Sequence, residues 1–125
     1  MNGFLLVAAG GGIGAAARHG LSVLLGKSGG VLAIFAANLI GSFLMGLVMG
    51  WLSVRSASEE STIWLFVCVG IFGGFTTFSS FSVQTVHMIE QGQLMRAGTY
   101  VAGSVIGAVG LLFFGLVIGR RVFAL

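Results

Sequence analysis

Gly73-Gly74-Phe75-Thr76-Thr77-Phe78-Ser79-Ser80-Phe81 lies inside an apolar run long enough to cross a membrane, yet it makes a poor membrane helix. Two adjacent glycines weaken a helix where they sit. The hydroxyls of Thr76, Thr77, Ser79 and Ser80 follow, and a hydroxyl turned to lipid gains nothing. Phe75, Phe78 and Phe81 recur at i, i+3 and i+6, a spacing that predicts one shared helical face. A segment that is breakable and hydroxyl-lined at bilayer depth is expected to line a cavity or to pack against protein.

Outward from this stretch the chain is uniformly apolar. Of 125 residues, 57% are hydrophobic and 7% charged, and the mean hydropathy is +1.09. A soluble domain carries roughly 25% charged residues, so the composition predicts an all-α integral membrane protein. No run alternates polar and apolar residues as a membrane barrel would. Glycine is abundant at 22 residues and proline is absent, which suits close helix packing in lipid. The first apolar run follows no basic segment, so a removable leader is not expected.

With roughly 20 apolar residues per span, four spans are expected, at about 3–25, 31–52, 62–88 and 97–118, forming one membrane domain. The turn Gly26-Lys27-Ser28-Gly29-Gly30 separates the first two, and a loop with Arg55, Glu59 and Glu60 precedes the third. An even number of spans puts both termini on the side of that loop. Arg55, Arg120 and Arg121 then face one side, and Lys27 and Arg96 the other, with Arg18 joining them if it reaches out. So even a tally gives almost no orientation bias. Either a single topology is weakly determined, or the protein inserts both ways and an antiparallel dimer can form. Four short spans also enclose little volume, which favours an oligomer if the protein has a pore.

The embedded polar groups limit the function. In the first span Gly10, Gly14 and Arg18 stack at intervals of four. An Arg at bilayer centre costs roughly 2.5–3.5 kcal/mol on insertion scales. Arg18 therefore either snorkels to the interface or supplies a fixed positive charge at a water-filled mouth. Asn38 and Ser42 share a face of the second span, with Gly46 and Gly50 further along. Asn38 is either a helix-packing amide or a pore-lining donor. Tyr100 and Ser104 share a face of the fourth span, flanked by Gly103 and Gly107, and Gly115 and Gly119 follow. Tyr100 is either an interfacial belt residue or the end of a polar track. Glu59, Glu60 and Glu90 all fall in loops. A proton-coupled cation exporter needs a buried carboxylate, and these spans offer none. Hydrogen-bond donors and one embedded positive charge suit an anion instead.

Other classes find little support. Asp is absent, so no Ser/His/Asp set exists, and there is no His/Glu metal spacing or phosphate loop. Without a basic run, no nucleic acid is implied. Cys68 is the lone cysteine, in an apolar run, and is read as a core residue.

Together these residues resemble the Fluc family of bacterial fluoride channels, also called CrcB. The resemblance spans the chain. It rests on Gly10-x-x-x-Gly14-x-x-x-Arg18, on Asn38-x-x-Gly41-Ser42-Phe43, on the stretch 73–81, and on Tyr100 with Ser104. It implies four transmembrane helices with a broken third helix, assembled as an antiparallel dual-topology homodimer with two pores. It implies passive fluoride export across the bacterial cytoplasmic membrane and protection from fluoride entering as HF. It further implies a structural sodium ion on the main-chain carbonyls of Gly73 and Thr76. The anion pathway it implies runs along Asn38, Phe78, Phe81, Ser80, Ser104 and Tyr100, with Arg18 in the vestibule. The partners implied are fluoride, a second copy of the chain and the lipid bilayer. The other readings to be tested are a non-transporting membrane assembly subunit and a small-molecule exporter.

Overall fold

The computed structural model describes residues 2–25, 30–58 and 61–125. The expected turn at 26–29, with Lys27, and Glu59 and Glu60 lie outside the described residues. The regular elements of the described residues are all helices: α1 (Gly3–Leu24), α2 (Gly30–Val54), α3 (Trp64–Phe72), α4 (Gly73–Phe75), α5 (Phe78–Glu90) and α6 (Leu94–Phe123). Four helical stretches are long and apolar enough to cross a membrane: α1, α2, the run Trp64–Glu90, and α6. Large apolar residues such as Phe4, Ile106 and Phe113 are more than half exposed, as expected where the solvent is hydrocarbon rather than water.

The helices outrun the apolar segments that predict them. The fourth was expected at 97–118, but α6 spans Leu94–Phe123. Its extra turns carry Met95 and Arg96 at one end and Arg120 and Arg121 at the other. Polar flanks continue a helix past the hydrocarbon because long basic side chains reach the interface.

Glycine sets how the helices pair. A Cβ added at Gly46 would run into the Leu112 carbonyl, and one at Gly115 into the Phe43 carbonyl. Gly50 and Gly119 lie against each other's backbone one turn on. These four positions let α2 and α6 touch main chain to main chain. Gly10 and Gly14 do the same for α1, against the carbonyls of Phe66 and Ile71. From the other side Gly70 and Gly74 pack on Gly10 and Gly11. Close approach of this kind is how helices associate in lipid, where burial of apolar surface drives nothing. α3 is wound wide, as a π-helix, and at its end the Gly73 amide points back to the Cys68 carbonyl five residues earlier.

Two expectations about the central stretch are corrected. The weak point was placed at Gly73-Gly74. Gly73 has helical torsions (φ −62°, ψ −37°), and the extended residues are Thr76 (φ −81°, ψ 155°) and Thr77 (φ −154°, ψ 118°). The glycines are required there for another reason: a Cβ on Gly74 would strike the Gly11 carbonyl. The second correction follows from the first. Phe75 does not share a face with Phe78 and Phe81, because two extended residues reset the helical phase between them. Phe75 packs instead on Gly41 of α2.

Candidate functional site

The polar centre of the molecule is built around Thr76 and Thr77. The Thr76 amide makes an ordinary helical bond, to the Phe72 carbonyl at 2.9 Å. The next amide does not. Thr77 N–H is donated sideways, across to the Asn38 side chain on α2, at 2.7 Å to Oδ1. Asn38 Nδ2 in turn donates to the Thr77 carbonyl at 3.0 Å. One side-chain amide thus pairs with both main-chain groups of one residue. Thr77 is also the N-cap of α5: its Oγ1 accepts the Ser80 amide at 3.2 Å. The same hydroxyl lies 3.1 Å from Ser79 Oγ and donates to Ser80 Oγ at 3.2 Å.

These two diversions act on particular carbonyls. In an α-helix a carbonyl receives the amide four residues on. Gly73 would receive Thr77 N–H, which goes to Asn38. Thr76 would receive Ser80 N–H, which goes to the Thr77 hydroxyl. The carbonyls of Gly73 and Thr76 are thereby relieved of their helical donors. Thr76 O accepts one bond, from Arg18 Nη1 of α1 at 3.4 Å, which leaves one of its two lone pairs. Arg18 is half-buried and turned inward to the extended residues.

Beside this centre a groove of about 310 Å³ runs between α2, α5 and α6. Asn38, Ser42, Thr77, Phe78, Phe81 and Ser104 line it. The Phe78 and Phe81 rings lie 5.3 Å apart at 45°, and Phe81 meets Tyr100 with the same spacing and tilt. Phe81 is buried at 7% exposure whereas Phe78 is 76% exposed, so one ring belongs to the protein interior and the other to the groove's open side.

Ser104 stands apart from the other hydroxyls. Ser22, Thr76, Ser82, Thr85 and Thr99 each return their hydroxyl to the carbonyl four residues back, a usual arrangement in membrane helices. Ser104 is 6% exposed, and its oxygen is the buried side-chain atom without a partner among the described residues. It borders the groove.

Two residues of the expected pathway lie elsewhere. Ser80 borders a separate hollow of about 330 Å³ with Ser22, Ser79 and Gln84. The Tyr100 hydroxyl donates to Gln84 Oε1 at 2.6 Å, and Gln84 Nε2 donates to the Gly30 carbonyl at 2.6 Å. The structure thus gathers Asn38, Phe78, Phe81 and Ser104 around one groove and sets Ser80 and Tyr100 beside it, Ser80 bonded to Thr77 and Tyr100 to Gln84.

Comparison with known proteins places the sequence in a family. Residues 5–116 match the family model described as CrcB-like protein, Camphor Resistance (CrcB). The chain belongs to the CrcB family. A relative from Hyphomonas neptunium, named fluoride-specific ion channel FluC, is 43% identical over 99% of this chain and 100% of its own length. A relative of the same name from Phenylobacterium zucineum is 47% identical, again over 99% and 100%. One from Caulobacter vibrioides is 44% identical with equal coverage. These CrcB relatives carry the name of an ion channel, not of an enzyme.

In this CrcB chain two polar residues of the centre escape a reading by spans, Thr77 as the main-chain partner of Asn38 and Gln84. Gln84 had a signal. Thr77, Ser80, Gln84 and His87 fall at i, i+3, i+7 and i+10 of the third apolar run, a polar stripe at helical spacing. Thr77 had none, because its role depends on a side chain 39 residues away.

Proposed function

We propose that this protein is a fluoride channel of the bacterial cytoplasmic membrane, letting fluoride leave the cell passively and so limiting its toxicity. Names of full-length relatives support the ion, and the orphaned hydroxyl of Ser104 in the groove is the observation that carries the pathway. A buried hydroxyl without a partner costs roughly 1–3 kcal/mol. A small anion beside it would accept its hydrogen. Fluoride is strongly hydrated, so a conducting site must replace water with donors. Ser104 and the remaining hydrogen of Asn38 Nδ2 are such donors. The edges of Phe78 and Phe81 carry the positive part of the ring quadrupole, offering contact without a charge that would hold the ion. Conduction needs binding weak enough for the ion to leave, and neutral donors meet that need.

The working unit in this reading is an antiparallel dual-topology homodimer in which the third helix is broken at Thr76-Thr77. A structural sodium ion would be held by the carbonyls of Gly73 and Thr76, which fit because both are relieved of their helical donors. Such an ion supplies a fixed positive charge that ties two breaks together, much as broken helices hold cations in transporters. The carbonyls of Gly74 and Phe75 lose their helical donors at the same break; the family resemblance assigns the ion to Gly73 and Thr76, and a two-fold axis doubles the carbonyls that one chain supplies. Arg18 shares the Thr76 carbonyl and gives the vestibule its positive potential.

The test is fluoride efflux from liposomes containing only this protein. Fluoride release far above that of protein-free liposomes, with chloride retained, is the expected result. Folded, reconstituted protein that releases no fluoride would overturn the channel reading in favour of an assembly subunit.

A further inference from the structure

We infer that Asn38 and Thr77 form a backbone clamp that holds the carbonyls of Gly73 and Thr76 ready for a cation, so that one residue serves the anion groove and the cation site together. This rests on the sodium reading above and adds to it a positioning role for two side chains. The clamp is a competition between acceptors for two amides. Asn38 Oδ1 takes Thr77 N–H at 2.7 Å, and Thr77 Oγ1 takes Ser80 N–H at 3.2 Å. Each amide would otherwise return to a carbonyl four residues back, Gly73 or Thr76. Asn38 Nδ2 pins the Thr77 carbonyl at 3.0 Å, so the peptide cannot rotate into the helix. The Gly41 backbone helps: a Cβ there would run into the Thr76 side chain, so glycine gives the extended pair its space. Asn38 also borders the groove. An alteration at Asn38 therefore acts on two sites, and the two effects are separable by which atom is lost.

The experiment is hydrogen–deuterium exchange of peptides covering residues 72–81 in the purified full chain. Sodium is titrated at constant ionic strength against N-methylglucamine, and fluoride efflux is measured on the same variants. In the wild type, sodium slows exchange. In Asn38→Ala, Thr77 N–H falls back to Gly73, and the sodium concentration for half protection rises about tenfold or more, the effect of losing one buried hydrogen bond. Asn38→Asp keeps an oxygen acceptor for Thr77 N–H. It loses the Nδ2 bond to the Thr77 carbonyl, so its half-protection point lies between those of wild type and Asn38→Ala, while fluoride efflux falls because a carboxylate replaces an anion donor. Asn38→Ala protected at the wild-type sodium concentration overturns the clamp and leaves the sodium reading intact. No sodium effect in the wild type overturns both. Should Asn38→Ala fail to fold, Thr77→Ala, which removes the acceptor of Ser80 N–H, decides: a half-protection point that rises severalfold supports the clamp, and one at the wild-type value sinks it.

Discussion

The hydroxyl of Ser104 and the amide of Asn38 make opposite demands on their neighbours. Ser104 is buried with nothing to bond, whereas Asn38 uses both ends of its amide on Thr77. Ser104→Ala removes an orphaned group, so the protein should be as stable as wild type or slightly more so. Its fluoride efflux from liposomes should nevertheless fall about tenfold, the loss of one donor to an ion. Unchanged efflux would take Ser104 out of the pathway. The aromatic pair predicts a graded result. Isoleucine keeps an apolar surface but has no ring edge, so Phe78→Ile and Phe81→Ile should both lower efflux. Phe81 is 7% exposed against 76% for Phe78, so its replacement alone should also lower the unfolding temperature, since truncating a buried ring leaves a cavity. Efflux at the wild-type rate in both variants would remove the rings from the mechanism.

At the level of helices, the glycines divide into those that permit a crossing and those that do not. Gly46→Ala would push a methyl group into the Leu112 carbonyl, at a cost of about 1–3 kcal/mol. At Gly110 an added Cβ meets nothing within 4 Å, so Gly110→Ala should be neutral or stabilising by up to about 1 kcal/mol. Unfolding of the two variants in graded denaturing detergent checks the contrast, and equal destabilisation would mean the α2–α6 crossing is looser than described. This is also the scale at which the sequence was most legible. Apolar runs located the four long helical stretches, and glycines at intervals of four located both crossings. The stretch 73–81 announced itself as special through its composition, yet its extended residues were misplaced by three positions. Local propensity pointed to Gly73-Gly74. The actual cause is the capture of Thr77 by Asn38 from another helix, and no local rule contains that. The placement of Tyr100 and Ser80 beside the groove was hidden for a related reason: a shared helical face does not say which of two adjoining hollows a side chain borders.

For the whole molecule the open matter is orientation, and the structure sharpens the charge count. Arg120 Nε donates to Ser53 Oγ at 3.3 Å, and Arg55 lies 5.0 Å over the Trp51 ring, so these guanidiniums gather at one end of α2 and α6 with Arg121 beside them. Arg96 stands at the other end, bonded to Gln93 at 3.1 Å. Arg18 is drawn inward to the Thr76 carbonyl and drops out of the loop tally. What remains is three charges against Arg96 and Lys27, a difference of one, and a margin that small does not commit a chain to one direction. Two measurements follow. A cysteine placed at Ala57, in the loop after α2, should be labelled to about half by a membrane-impermeant thiol reagent in intact cells, and complete labelling or none would argue for a single topology. The stronger test pushes the balance. Gln91→Lys and Gln93→Lys, combined with Arg55→Gln and Arg121→Gln, turn three charges against two into one against four, and should drive the Ala57→Cys label toward one extreme. If activity requires two oppositely inserted copies, fluoride efflux per protein should collapse in that variant when expressed alone. It should return when the variant is co-expressed with a partner biased the other way, with two lysines at Ser56 and Ala57. Full activity of a uniformly oriented protein would mean that one orientation suffices, and the antiparallel dimer would have to be abandoned.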